Sequence, residues 1–194
     1  MENIQPVSYR PLDVDEIRLV AVQPGTKTDT IKCEMVYSSF STAREQQYEA
    51  LSYTWGSPDE LRTIILDGAA CQVRENLWWA LYHLRKEEEV RRLWIDALSI
   101  NQADILERNQ QVGQMDRIYK EANVVAVWLG RESKDDANAL QYFWDIRSKG
   151  DLPRHFDWCI ADSEANNKWF AQHLPKWQDI LHLCARKYWT RLWV

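Results

Sequence analysis

The sequence predicts an α/β protein with a mostly parallel central sheet flanked by helices, extended by an N-terminal β pair and a β-hairpin insertion. Three observations lead there. Short β-rich runs dominate the first third of the chain, the apolar period switches to a helical one at Glu75, and strand, helix and strand signals follow in that order from Arg92 to Leu129. A strand, helix, strand unit normally makes a parallel pair through a right-handed crossover.

Element by element, Glu16–Val22 and Ile31–Tyr37 read as strands separated by the turn signal Pro24-Gly25, which gives an antiparallel pair. Tyr48–Tyr53 is a third strand. Thr63–Leu66 and Ala70–Val73 flank Asp67-Gly68, a pairing suited to tight hairpins because both residues tolerate positive φ. That hairpin is expected beside the main sheet. Leu77, Leu81 and Leu84, with Trp78, fall at helical spacing, and the run Lys86-Glu87-Glu88-Glu89 reads as the solvated end of that helix. Arg92–Leu98 is then a strand, Asp104–Ala122 a helix, Asn123–Leu129 a strand closed by Gly130, and Asp136–Arg147 a helix. Beyond Gly150 the chain is polar and aperiodic until Pro175 opens a last helix with Trp177, Ile180, Leu181, Cys184 and Tyr188 on one face. The apolar-rich ending at Val194 reads as a cut through a single domain spanning 1–194.

Composition narrows the function classes. With 194 residues, 45% hydrophobic and 27% charged, the chain sits near globular averages. A net charge of −5 argues against binding a phosphate backbone, so no nucleic-acid partner is expected. No stretch is long and apolar enough for a membrane span, and Met1 to Arg10 lacks the layout of a signal peptide, which makes the cytoplasm the expected compartment. Cys33, Cys71, Cys159 and Cys184 lie far apart and read as reduced and mostly buried. His83, His155, His173 and His182 show no metal-ligand spacing, so no metal is expected. Motifs of serine hydrolases, P-loop NTPases and dinucleotide-binding dehydrogenases are absent, and six glycines in all leave little room for them. Most of the eleven tryptophans read as core or pocket-wall anchors.

The candidate site is the stretch Leu93-Trp94-Ile95-Asp96-Ala97-Leu98-Ser99-Ile100-Asn101-Gln102, where an apolar run ends abruptly in polar side chains. In open α/β sheets, ligands bind beyond the carboxyl ends of the strands. A second strand ends in the same way, at Ser52-Tyr53-Thr54-Trp55-Gly56. If the two strands are neighbours, Ser52, Tyr53, Trp55 and Gly56 meet Asp96, Asn101 and Gln102 across one crevice. Asn101 and Gln102 serve either to bind a polar ligand or simply to satisfy loop backbone groups. Asp104 and Glu107 have the spacing of an N-cap and its N3 partner. Ile105, Arg108, Val112, Met115 and Tyr119 share one helical stripe, which points Arg108 at the sheet with Asp96 as its nearest carboxylate, as a structural ion pair or as a pair that orients a ligand phosphate or ribose.

The ordered set Tyr48–Gly56, Leu93–Gln102, Glu107-Arg108, Gln111-Val112, Met115, Ile118-Tyr119 and Val127-Trp128-Leu129-Gly130 resembles the fungal heterokaryon incompatibility (HET) domain. Tyr9-Arg10-Pro11-Leu12 and Tyr188-Trp189-x-Arg191-x-Trp193-Val194 extend the likeness over nearly the whole chain. Ser99 stands where the family often has Cys, which argues against an obligatory cysteine nucleophile. The resemblance implies a cytoplasmic fungal domain whose activation triggers incompatibility and cell death, a form of innate immunity. HET domains are in turn similar to TIR domains, which have a flavodoxin-like fold and in some members cleave the nicotinamide–ribose bond of NAD. TIR enzymes carry a glutamate in Trp-Cys-x-x-Glu, and HET domains continue past Trp-Val to a Gln-Glu pair. The resemblance therefore implies a catalytic glutamate four residues after Trp193, three beyond Val194. It implies NAD as substrate, no further cofactor, and an aromatic wall, Trp55 or Tyr53, beside the nicotinamide, with Ser52, Asn101 or Gln102 positioning ribose and diphosphate. Glu49 and Glu107 are weaker catalytic candidates within the chain. The other reading is a non-enzymatic module that signals by self-association or through a partner protein.

Overall fold

The computed structural model describes residues 7–149 and 178–190. The chain divides into two compact units, Met1–Gly130 and Arg131–Val194. The first contains one seven-stranded mixed sheet of order β5-β4-β2-β1-β6-β3-β7. Its strands are β1 (Glu16–Val22), β2 (Lys32–Ser39), β3 (Glu49–Tyr53), β4 (Leu61–Leu66), β5 (Ala69–Arg74), β6 (Arg91–Trp94) and β7 (Val124–Trp128).

Strand β1 pairs antiparallel with β2 and with β6, whereas β6, β3 and β7 run parallel to one another. The expected N-terminal pair is therefore present. It is also fused to the parallel strands rather than set apart from them. The hairpin β4–β5 turns through Asp67 and Gly68 with φ of 50° and 80°, the left-handed pair that Asp-Gly favours. It is not beside the sheet but part of it, since β4 runs parallel to β2 with Lys32 opposite Ile65.

The alternating period of β1 explains how the sheet is buried on both faces. Val20 and Val22 enter one core with Leu51, Ile64, Leu77, Leu81, Leu93 and Ile95. Ile17 and Leu19 enter the other with Phe40, Tyr48, Trp94 and Ile118. Helix α2 (Glu75–Leu84) covers the first face through Leu77, Ala80 and Leu81. Helices α1 (Phe40–Glu45) and α5 (Met115–Glu121) supply Phe40, Ala43 and Ile118 to the second. Lys86–Glu89 lies past the end of α2 as an exposed turn, closed by a Lys86–Glu89 ion pair.

Three sequence expectations need correction here. The strand read as Arg92–Leu98 stops at Trp94, and Asp96–Ser99 forms a short helix, α3. Its apolar residues Leu98 and Ile100 are buried as expected, but from helical and loop backbone. The helix read as Asp104–Ala122 is two, α4 (Ile105–Gly113) and α5, divided at Gln114 with φ −100° and ψ −2°. The strands on either side of these helices, β6 and β7, are parallel but not adjacent, because β3 lies between them.

In the second unit, α6 (Lys134–Lys149) encloses the helix expected at Asp136–Arg147, and residues 178–184 are helical, followed by a 3-10 turn at Lys187–Thr190. Ile180, Leu183 and Tyr188 are buried there, while Leu181 and Cys184 are exposed, so the expected face is rotated. Trp177, Pro175, Cys159, His155, His173 and Arg191–Val194 lie outside the described residues. Asp136 forms the polar centre of this unit. It accepts from Ser133 and from the Arg186 guanidinium, and although burial opposes ionisation these contacts hold its carboxyl at about 2. No helix among the described residues is long and apolar enough to cross a membrane.

Candidate functional site

Strands β3 and β6 are neighbours, with Glu49 opposite Leu93 and Ala50 opposite Trp94. Their carboxyl ends therefore deliver Tyr53-Thr54-Trp55-Gly56 and Asp96–Gln102 to one place. The Trp55 indole Nε1 donates to Asp96 Oδ2 at 2.8 Å. Asp96 Oδ1 accepts from the Ala97 N–H at 2.7 Å, and the Gln102 amide donates to the Asp96 carbonyl at 2.8 Å. Trp55 is 37% exposed, so its ring forms a wall with one side toward solvent.

The crevice beside that wall has a volume of about 250 Å³ and is lined by Tyr53, Trp55, Leu61, Leu77, Leu98 and Gln102, together with the hairpin residues Gln72, Val73 and Arg74. The hairpin contribution could not be read from the sequence, which places these residues outside the parallel strands. Arg74 lies with its guanidinium carbon 5.0 Å from the centre of the Trp55 ring and donates to the Gly56 carbonyl at 2.9 Å.

Gly56 has φ of 79°, and a Cβ there would come within 3.0 Å of Asn76 Cβ. The bend that carries Trp55 out of the sheet thus requires a residue without a side chain. Asn76 closes the bend from behind. Its amide nitrogen donates to the Thr54 carbonyl at 2.6 Å, and its oxygen accepts from Trp128 Nε1 at 2.9 Å. Ser52 is buried and does not line the crevice, whereas Tyr53 lines it with only 1% of its surface exposed.

Asn101 plays a local part. Its side-chain oxygen accepts from the Ala103 N–H at 3.2 Å, and its backbone N–H donates to Glu107 at 2.7 Å. Arg108 is exposed and does not pair with Asp96. The helix has turned so that Glu107 and Gln111 face inward, while Ile105, Leu106 and Val112 face outward at 62%, 82% and 48% exposure. The physical reason is a buried arginine elsewhere.

That arginine is Arg18 on β1, fully buried and held in a fork by both Glu107 oxygens. It also donates to the carbonyls of Ser99 and Arg10, and Tyr9 and Tyr37 cover its guanidinium with ring centres at 4.8 and 5.3 Å. An ionised carboxylate is the natural partner for such a group. Burial raises the Glu107 pKa, but the hydrogen bonds from Arg18 and the Asn101 N–H outweigh it and hold the carboxyl below its ordinary value. The expected N-cap is present, with Asp104 accepting from the Leu106 and Glu107 N–H groups, while Glu107 itself belongs to this node. Glu49 is likewise engaged, by the Arg91 guanidinium at 2.6 and 3.0 Å, at the amino end of β3. That end is roughly 13 Å along the strand from Tyr53.

Nucleophilic cysteine chemistry finds no support in the described thiols near these strands. Cys33 and Cys71 are buried and free, and burial pushes Cys33 up to about 12 and raises Cys71. Ser99 is fully buried and its Oγ accepts from the Ile95 N–H at 3.0 Å, a structural closure of α3. Among the described residues no group of His, Cys, Asp and Glu is arranged to hold a metal.

The profile described as Heterokaryon incompatibility protein (HET) matches residues 48–194, which include every strand whose carboxyl end borders the crevice. The chain belongs to the HET family. The HET domain is 35% identical over 138 residues to the heterokaryon incompatibility protein 6, OR allele, of Neurospora crassa, a match covering 64% of this chain and 20% of that protein. The chain thus spans about a fifth of that relative's length. No solved structure matches the chain. The match begins at Tyr48, immediately before β3, so β1 and β2 precede it.

Proposed function

We propose that this HET domain acts in heterokaryon incompatibility, and in the cell death it sets off, by binding NAD or a related nucleotide in the Trp55 crevice and, in the intact protein, hydrolysing the nicotinamide–ribose bond. The observation that carries this reading is the aromatic wall at the carboxyl ends of β3 and β6, with Trp55 hydrogen-bonded to Asp96 and open on one side. A flat, apolar wall beside polar strand ends suits a ligand that has both a ring and a ribose.

In this chemistry water attacks the anomeric carbon, nicotinamide leaves, and ADP-ribose and a proton are released. A carboxylate stabilises the positive charge that develops on the ribose. We assign that role to the glutamate that the family resemblance expects beyond Val194, because Glu49 and Glu107 are committed to Arg91 and Arg18. Trp55 flanks the nicotinamide, the buried Tyr53 forms the floor of the crevice beneath it, and Gln102 borders the ribose. The buried free thiols Cys33 and Cys71 suit a reducing compartment, and we place the activity in the cytoplasm.

The test is NAD consumption, with products separated chromatographically, by this chain and by the chain extended through the expected Gln-Glu pair. Activity in the extended chain alone supports the reading; activity in neither at high protein concentration overturns it. A second reading, assembly without catalysis, draws on β7, which pairs only with β3 among the described residues and exposes Val124, Val125 and Val127. Under that reading Val125→Lys abolishes signalling and Trp55→Ala leaves it intact.

A further inference from the structure

Arg74 is the one arginine that lines the crevice, and unlike most guanidinium groups around the sheet it has no carboxylate partner among the described residues; Arg44, Arg92 and Arg108 share that lack but lie outside the crevice lining. Arg10, Arg18, Arg62, Arg91 and Arg117 each pair with a carboxylate, respectively Glu16, Glu107, Glu75, Glu49, and both Asp15 and Glu121. Arg85 has no carboxylate partner, but its donors are taken up by the carbonyls of Thr26, Asp29 and Thr30. Among the described residues, Arg74 makes one hydrogen bond, to the Gly56 carbonyl, and rests on the Trp55 ring. It also lines the crevice. A guanidinium carries five donors in a rigid fork whose geometry matches phosphate oxygens. Arg74 is therefore fixed at one nitrogen and one face at the edge of the crevice, with its other donors uncommitted among the described residues.

We infer that Arg74 is the anion-recognising residue of the crevice, so that the ligand class is a phosphorylated nucleotide whose ring lies along Trp55 while a phosphate meets the Arg74 fork. This rests on the nucleotide reading given above and sharpens it, because it separates nucleotides from nucleosides and free bases. The hairpin β4–β5 gains a role by the same argument. Its strand β5 ends in Arg74, and its turn residues Asp67 and Gly68 fix the register that brings Arg74 to the level of Gly56.

The experiment titrates the full chain with NAD, nicotinamide riboside and inorganic pyrophosphate, for the natural sequence, Arg74→Gln and Arg74→Lys, with thermal unfolding recorded for each. The expected result is that NAD and pyrophosphate bind the natural chain. Arg74→Gln weakens both by about tenfold or more, which corresponds to loss of one or two charge-assisted contacts. The same variant leaves riboside binding unchanged, and Arg74→Lys restores part of the loss because it keeps the charge but not the fork. Equal weakening of NAD and riboside would overturn the inference and make Arg74 a mere support for Trp55. Pyrophosphate binding that depends on Arg74 without any binding of NAD would uphold the anion site and defeat the NAD reading. Absence of pyrophosphate binding, with NAD bound equally well by Arg74→Gln, would defeat the inference alone.

Discussion

Two polar clusters flank the segment from Asp96 to Gln102, which begins with α3, and they are built to opposite ends. On one side, Arg18 and Glu107 are buried together, and their charges are met by each other, by the Ser99 and Arg10 carbonyls and by the Asn101 N–H. On the other, Trp55 is held by Asp96 and covered by Arg74 at the side of a crevice, with much of the guanidinium uncommitted. The buried node fixes the back of the loop so that its front can hold Trp55 in one position. The buried node, closed except at Arg18 Nε, acts as a brace, whereas Arg74 keeps most of its donors uncommitted beside the crevice where a ligand is proposed.

The largest break in this comparison should come from the brace. Glu107→Ala strands a fully buried guanidinium and is expected to cost about 3–5 kcal/mol in urea unfolding, whereas Arg108→Ala, one residue on but exposed, should stay within about 0.5 kcal/mol. Next comes the bend. Gly56→Ala must adopt a positive φ and press on Asn76, so a loss of about 1–3 kcal/mol is expected in the same assay. Smaller again is the crevice itself. Asp96→Ala removes the acceptor of the Trp55 indole and should cost about 1 kcal/mol of stability, yet it should weaken NAD binding more than Glu49→Ala, which acts at the far end of β3.

The second unit offers a separate prediction, in its own stability. Asp136 titrates at about 2, below its ordinary 3.8, so its contribution to stability is complete above the ordinary carboxylate range and fades as pH falls toward 2. Asp136→Asn should remove that acid dependence, read from unfolding midpoints between neutral and acid pH. Glu107, also shifted down, should show the same sign in the first unit.

Much of this was legible in the residues, and the exceptions have physical reasons. The strands Glu16–Val22 and the Asp67-Gly68 hairpin follow from period and turn chemistry, both local. Adjacency of the strands ending at Tyr53 and Trp94 was readable only as a condition, because pairing is not local. The break after Ile95 was not legible, since Asp-Ala-Leu-Ser buries the same apolar residue whether it continues a strand or starts a helix. Arg18 carries no local signal, because it sits in an ordinary-looking strand and its carboxylate lies 89 residues away. Assigning Arg108 to the sheet followed the apolar stripe of α4, and the stripe lost to the demand of Arg18 for Glu107. Arg74 carried no local signal at all; only the fold brings it to Trp55.

The most direct test of the account uses the indole N–H resonances of a uniformly 15N-labelled chain, with Trp55 assigned through Trp55→Phe and Trp94 through Trp94→Phe. On titration with NAD, the Trp55 resonance should shift saturably while that of Trp94, buried in the opposite core, stays in place. A saturating shift that leaves Trp55 unmoved would show that the ligand binds elsewhere and would contradict the assignment of the crevice; no shift at any concentration would contradict nucleotide binding itself.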